Sequence, residues 1–403
     1  MLKAALIAPN SLPIPPIRGG GIQNVVAETV PFYKEFRPYV FSNLEYGIDS
    51  LPLRETDGNV EHRRICLSSW EELRIRLRHF TTHNYFPYVY KIIGQLKQIE
   101  PDVIHLMNRP WFLPILRKHL GSRTKIILHH FNNYLMEMPK ARAQGYLKLI
   151  DGFIGCSDFT VNAEVVSRFP QYKNICHTVS NGIDVGKFDP AAIDQKKLAV
   201  LRDRYKIKDK DIVVLYVGRL TEDKGAGELL DSVKELITNL GMKEVKLLIV
   251  GSSFFGGSTR VTGFMKRLHR SAEEIKDNII FTGFINRPEM PAIFALSSLV
   301  AVPSIVQDAS PTVIYEASAM KKPVIGSLRG GIPEIVLEGK TGLLVKDPKD
   351  IDELTEKMLY LIKNPQVGAE MGKAGREFMK KNFTWQTVAN RLEQVYLEVL
   401  EGK

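Results

Sequence analysis

Four side chains in the second half of the chain have the types and spacing to handle a phosphorylated ligand: Arg219, Lys224, Asp308 and Glu316. Arg219 and Lys224 lie in VGRLTEDKG, where an apolar run gives way to a helical one. Two cations beside the amides of a helix start suit a diphosphate. The plainer alternative is a solvated loop with two surface charges. Asp308 and Glu316 lie in VPSIVQDASPTVIYEASAMKKPVI. There Ser310 reads as an N-cap and Pro311 as the first helical residue. The amides of Thr312 and Val313 are then open to an anion. Two carboxylates at such a place would repel phosphate. They fit better as acceptors for sugar or ribose hydroxyls, with Arg219 and Lys224 supplying the balancing charge. A capping carboxylate and a solvated helix glutamate would be the bland reading. The small, apolar setting of Glu316 in YEASAM speaks against it.

The first half offers a glycine loop and three histidines. Arg18-Gly19-Gly20-Gly21 stands between an apolar run and a helical one, so backbone amides there can approach an anion closely. The loop equally fits a plain turn, and it is not GxGxxG, which argues against a dinucleotide. His105, His129 and His130 end apolar runs. A histidine in such a place is as readily a satisfied structural group as a working one, and His105 is read as structural.

Short apolar runs alternating with helical stretches must position these groups. KAALIAP opens the chain as a strand, followed by the helical stretch IQNVVAETVPFYKEF. Further strands are expected at Tyr39–Ser42, Val103–Met107, Lys125–His129, Gly152–Cys156 and Ile175–Ser180. A polar stretch near Asp189–Lys210 reads as a linker. The rhythm then restarts at Ile212–Val217, Val245–Val250, Asn278–Phe281, Leu299–Val302, Pro323–Gly326 and Gly342–Val345. The pattern predicts two doubly wound parallel sheets, whose ligand edges lie at the carboxyl ends of the strands. The expected divisions are 1–190, 191–380 and a helix over 381–403 that returns to the first domain.

Composition bounds the rest. At 403 residues, 44% hydrophobic and 25% charged, the chain has the make-up of a globular protein of two domains. Three cysteines without a CxxC pair favour a reducing compartment. The N-terminus does not read as a signal peptide, and no apolar run is long enough to span a bilayer. A net charge of +10 favours anionic partners. Between Trp70 and Phe80 apolar residues recur at helical spacing with Arg74, Arg76 and Arg78 between them. Such a helix could lie on an anionic membrane; a helix packed on its own domain with a solvated basic face is the preferred reading. No RRM, zinc finger or arginine-rich tail points to nucleic acid.

With these pieces in order, the chain resembles the family 4 glycosyltransferases of GT-B fold. The resemblance rests on Arg18-Gly19-Gly20-Gly21, Pro101-Asp102-Val103-Ile104-His105, Ser180-Asn181-Gly182-Ile183-Asp184, Gly218-Arg219, Lys224-Gly225, Glu316-Ala317 and Gly330-Gly331-Ile332-Pro333-Glu334. The segment LPIPPIRGGGIQ is similar to the branch that includes spore coat protein SA and polysaccharide-biosynthesis enzymes. It implies two Rossmann-like domains facing a central cleft and retaining transfer of a hexose from a UDP- or GDP-sugar. The acceptor would be a polysaccharide, glycolipid or spore-coat glycan, with lipid-linked acceptors included. Gly20 and Gly21 would face the donor, Arg219 and Lys224 would hold the diphosphate, Glu316 the ribose, and Asp308 the sugar. No metal or other cofactor is expected. Asp209-Lys210-Asp211 and Asp350-Ile351-Asp352 are DxD strings but read as solvated charge. The family places a histidine near the sugar. His130 is preferred here, with His129 competing and one alignment placing Phe131 there. Asp308 stands where the family usually has Glu. The expected location is the cytoplasm, at the inner face of the membrane if the basic helix binds there. A nucleotide-sugar epimerase and a coat-associated protein without activity are the alternatives.

Overall fold

A computed structural model describes the chain apart from residues 18–19, 46–49, 69, 72–85, 253–260 and 403. It divides into two compact units, Met1–Asn181 with Trp385–Lys403, and Gly182–Thr384.

Among the described residues the first unit has eight strands: β1 (Leu2–Ile7), β2 (Phe36–Leu44), β3 (Arg54–Asp57), β4 (Val60–Cys66), β5 (Val103–Met107), β6 (Lys125–His130), β7 (Gly152–Gly155) and β8 (Cys176–Thr178). Their order is β3-β4-β2-β1-β5-β6-β7-β8, parallel except for β3 against β4. The chain winds outward from β1 through β2 and returns on the other side at β5, so strand order reverses between β1 and β5. That is where an open parallel sheet opens a crevice for ligand. Along β1, Ala5 and Ile7 enter one apolar layer while Ala4 and Leu6 enter the other, so both faces are covered.

The helical stretch after β1 is shorter than its sequence suggests. It runs Gly21–Thr29 and passes into a single tight turn at Val30–Phe32, because Pro31 lacks the amide needed to continue. β3 and β4 were not expected from sequence. β4 buries Arg64, whose guanidinium donates to the Ile14 and Pro52 carbonyls and to Glu55, so its charge is satisfied without water.

The last helix, Trp385–Glu401, belongs to this unit. Trp385, Val388, Ala389, Leu392, Val395, Tyr396 and Val399 line one face at helical spacing and join the layer of Leu6 and Ile127. Glu393, on that helix, accepts hydrogen bonds from the amides of Lys34, Glu35 and Phe36 at 2.8–2.9 Å, fixing the start of β2.

Among the described residues the second unit holds six parallel strands: β9 (Ile212–Val217), β10 (Val245–Val250), β11 (Ile279–Gly283), β12 (Leu299–Val302), β13 (Val324–Ser327) and β14 (Gly342–Val345). Their order, β11-β10-β9-β12-β13-β14, reverses between β9 and β12. All six lie where the apolar runs predict them. The polar stretch Asp189–Lys210 lies inside this unit and contains a helix, Gln195–Arg204. Asp194 caps it by accepting from the Lys196 amide at 2.8 Å, and Leu201 and Ile207 pack into the core. Arg376 reaches back from the helix Pro365–Asn382 to donate to the Phe188 and Val185 carbonyls.

Candidate active site

In the second unit the groups singled out from sequence converge at the β9/β12 reversal. Gly218 and Arg219 follow β9 directly, and the Gly218 amide is held by the Val250 carbonyl at 3.0 Å. The Tyr216 hydroxyl donates to the Arg219 carbonyl at 2.9 Å and fixes the turn from inside. The loop after β12 is tied to the loop after β9 by the Ile305 amide, which donates to the Asp223 carbonyl at 3.0 Å. Across this seam Lys224 Nζ donates to Asp308 Oδ2 at 2.5 Å, and Ser304 Oγ donates to the same oxygen at 3.3 Å. The Arg219 guanidinium stands 3.6 Å from Asp223. Each cation therefore faces a carboxylate before any ligand arrives.

Gly330 makes this seam possible. Its φ is +57°, and a Cβ there would stand 2.0 Å from the Asp308 carbonyl oxygen. The Gly330 amide donates to Gln307 Oε1 and the Gly331 amide to the Asp308 carbonyl, at 2.6 and 2.8 Å. Only a residue without a side chain lets the backbones approach this closely.

The next helix runs Thr312–Ala319, one residue later than expected. Pro311, not Ser310, occupies the N-cap, and no side chain caps the helix. The Ser310 hydroxyl instead pairs with the Tyr315 hydroxyl at 2.8 Å. Thr312 and Val313 keep the place foreseen for them. Their amides lie in the first turn, beyond the reach of carbonyls of the same helix. Glu316 lies one turn further on, only 8% exposed. Burial pushes its carboxyl up to about 7, and Arg287, 3.8 Å away, opposes that rise. Sequence reasoning missed Arg287, which sits in no conspicuous motif, and gave no role to Ser304, part of the matched pair Pro303-Ser304. The DxD strings serve locally: Asp209 pairs with Arg202 at 3.0 Å, and Asp350 caps a helix through the Glu353 amide.

The first unit places Gly20 and Gly21 in the loop after β1 and His129 and His130 at the carboxyl end of β6, whereas His105 is the middle residue of β5, not its end. Gly20 has φ +115° and precedes the helix Gly21–Thr29. A Cβ on Gly20 would stand 2.3 Å from Gln23 Oε1, while one on Gly21 would meet nothing within 4 Å. Arg18 and Gly19 lie outside the described residues, as do 72–80 of the basic helix. His129 and His130 adjoin on β6 and so point to opposite faces. Both are fully buried, at 1% and 0% exposed. His130 Nδ1 hydrogen-bonds Glu164, itself fully buried, whose other oxygen accepts from the Leu135 amide at 2.9 Å. Glu164 sits in the wide helical turn Asn162–Val166, a form that often marks functional positions. On the other face His129 Nδ1 meets His105 Nε2 at 2.9 Å, and Phe131 lies over the His129 ring at 4.0 Å. Asn108, with φ +50°, ends β5 and accepts the Phe131 amide at 2.8 Å. Neither Glu164 nor Asn108 carried a signal in the sequence, since each matters only through a partner distant along the chain.

Residues 199–378 match the family model described as glycosyl transferases group 1. Spore coat protein SA of Bacillus subtilis is 28% identical over 399 residues, covering 98% of this chain and 99% of that one. The family match thus falls within the second unit, and the similarity to spore coat protein SA runs the length of the chain. A GDP-mannose-dependent alpha-(1-6)-phosphatidylinositol monomannoside mannosyltransferase of Mycolicibacterium smegmatis is 34% identical over 230 residues, 55% of each chain. Sucrose-phosphate synthase of Thermosynechococcus elongatus shares the fold over all of both chains, with TM-score 0.78 and 20% identity. HepE of Anabaena, solved in complex with UDP-glucose, has TM-score 0.73 and 19% identity, covering 99% of this chain and 100% of that one. The chain thus has two Rossmann-like domains of GT-B type. Among its described residues no helix is long and apolar enough to cross a membrane.

Proposed function

We propose that this glycosyltransferase moves a hexose from a UDP- or GDP-sugar to a polysaccharide or lipid-linked acceptor, with retention of configuration and without a metal ion. The observation that carries the reading is the cluster at the β9/β12 reversal. Lys224 is tied to Asp308, Arg219 stands by Asp223 in the loop after β9, and the helix with the open amides of Thr312 and Val313 starts four residues after Asp308, with Glu316 one turn beyond.

The chemistry follows from charge. Breaking the bond from the sugar to the diphosphate leaves negative charge on the leaving oxygen. Preorganised cations and amides stabilise that charge without reorganising as it forms, which is worth several kcal/mol per donor. Lys224 would exchange Asp308 for phosphate oxygen, and Arg219 would exchange Asp223. The freed Asp308 carboxylate then accepts a sugar hydroxyl. Glu316 accepts the ribose hydroxyls, which favours its charged form. Within the first unit, Gly20 and Gly21 are the backbone assigned to the donor, and His130, fixed by Glu164, is the group assigned to the sugar.

A panel of UDP- and GDP-sugars with and without EDTA tests this. Expected are turnover of at least one donor, an axial or equatorial anomeric signal that matches the donor by NMR, and full activity in EDTA. Inverted product or loss of activity in EDTA would remove the corresponding part. Isomerised donor would instead support epimerisation.

A further inference from the structure

Four buried polar groups form one hydrogen-bonded chain from the last helix into the first sheet. The Tyr33 and Tyr396 hydroxyls lie 2.9 Å apart, Tyr396 lies 2.5 Å from His105 Nδ1, and His105 Nε2 lies 2.9 Å from His129 Nδ1. His129 Nε2 is buried without a partner. His129 is the penultimate residue of β6, at the carboxyl end of the strand.

Counting protons gives the chain a direction. Burial holds both hydroxyls above the ordinary tyrosine range, lowers His105 to about 3 and lowers His129 well below its ordinary value, so all four groups are neutral. Each neutral imidazole then has one donor and one acceptor nitrogen. In one direction Tyr33 donates to Tyr396, Tyr396 to His105 Nδ1, and His105 Nε2–H to His129 Nδ1. One group is then unmatched, the His129 Nε2–H. In the other direction the Tyr33 hydroxyl hydrogen and the His129 Nε2 lone pair are both unmatched. Each direction strands one donor, but only the second also strands a buried acceptor, so the first direction is favoured.

We propose that Tyr396 is a positioning residue: through His105 it holds His129 as the Nε2–H tautomer, whose hydrogen is taken up by an oxygen of bound substrate. Phe131 covers a face of the ring, which leaves the ring edge for that contact. The adjacent His130, whose Nδ1 faces Glu164, is fixed in the opposite sense. The two histidines of β6 are thereby given different duties, His129 as a neutral donor and His130 as the one with a carboxylate behind it. The contact with substrate rests on the function proposed above; the tautomer does not.

Multiple-bond 15N–1H NMR of the full-length, histidine-labelled protein reads the tautomer directly. Expected is a proton on His129 Nε2 in the wild type and in Tyr33→Phe, because Tyr396 can still donate to His105. Tyr396→Phe removes that bias, and both tautomers of His129 become populated. With whichever of UDP-glucose and GDP-mannose the wild type turns over, Tyr396→Phe lowers kcat/KM about tenfold and Tyr33→Phe less than twofold. A proton on Nδ1 of His129 in the wild type overturns the proposal, and so does wild-type kcat/KM in Tyr396→Phe. If the wild type turns over no nucleotide sugar, the functional reading falls while the NMR result still decides the tautomer.

Discussion

Lys224 Nζ donates to Asp308 Oδ2 across 2.5 Å, between residues 84 positions apart in the chain. On the function proposed above, a diphosphate would compete with Asp308 for that ammonium group, and the carboxylate would tune how tightly a nucleotide is held. Asp308→Asn is expected to tighten UDP binding three- to tenfold, by rough reckoning from one weakened charge pair, while kcat falls. Lys224→Ala is expected to lower kcat/KM by about 10²–10³. Calorimetry with UDP and initial rates separate the two effects. Unchanged UDP affinity in Asp308→Asn would show that no such competition exists.

Glu316 gives a pH signature. Its carboxyl keeps a proton up to about pH 7, above the ordinary value of 4.5. Between those values the unfolded chain has released the proton and the folded chain has kept it, so stability falls as pH rises through the window. Glu316→Gln cannot ionise and escapes that loss. The variant should match the wild type at pH 4 and exceed it at pH 8, by up to on the order of 3 kcal/mol. Its donor turnover should drop, and wild-type KM for the donor should fall as pH rises through about 7. Thermal melts at both pH values, with a KM profile, check each part.

The two glycines of the first loop should separate stability from binding. Gly20→Ala places a Cβ against Gln23 at a φ of +115° and is expected to cost about 1–3 kcal/mol. Gly21→Ala meets open space and should leave the melting temperature unchanged. If donor approaches this backbone, Gly21→Ala raises its KM. A stable variant with unaltered KM would exclude the loop from the site.

His130 and Glu164 are buried together, so removing one strands the other. Glu164→Ala is expected to destabilise the protein by about 3–5 kcal/mol, and Glu164→Gln by less. Urea unfolding followed in the first unit measures both. Equal stability of Glu164→Ala and the wild type would mean that the pair carries no charge and little hydrogen-bond energy.

The parallel strands were legible because both of their faces are covered. Ile212–Val217 and Val245–Val250 are apolar throughout, so no alternation obscured them. β4 was not legible because Arg63 and Arg64 read as surface charge, whereas Arg64 is satisfied by two carbonyls and a carboxylate that only the fold brings to it. The same distinction runs through the site. Arg219 and Lys224 announce themselves by lying where strand meets helix, and Glu316 by its small, apolar setting. The partners Asp308 for Lys224, Glu164 for His130 and Tyr396 for His105 lie 84, 34 and 291 positions away. No local pattern encodes a pairing at that range. The one-residue shift of the helix start has a smaller cause: Tyr315 offers the Ser310 hydroxyl a partner inside the core.

The last helix completes the first sheet, and this orders events during synthesis. Gly182–Thr384 is continuous and can close as soon as it leaves the ribosome. The portion made first must wait for the portion made last, because Tyr396 and Glu393 supply groups that His105 and the start of β2 require. A nascent chain stalled before residue 385 would therefore carry a finished second unit and an unfinished first one, and a premature stop codon there would expose the amino-terminal unit to proteolysis.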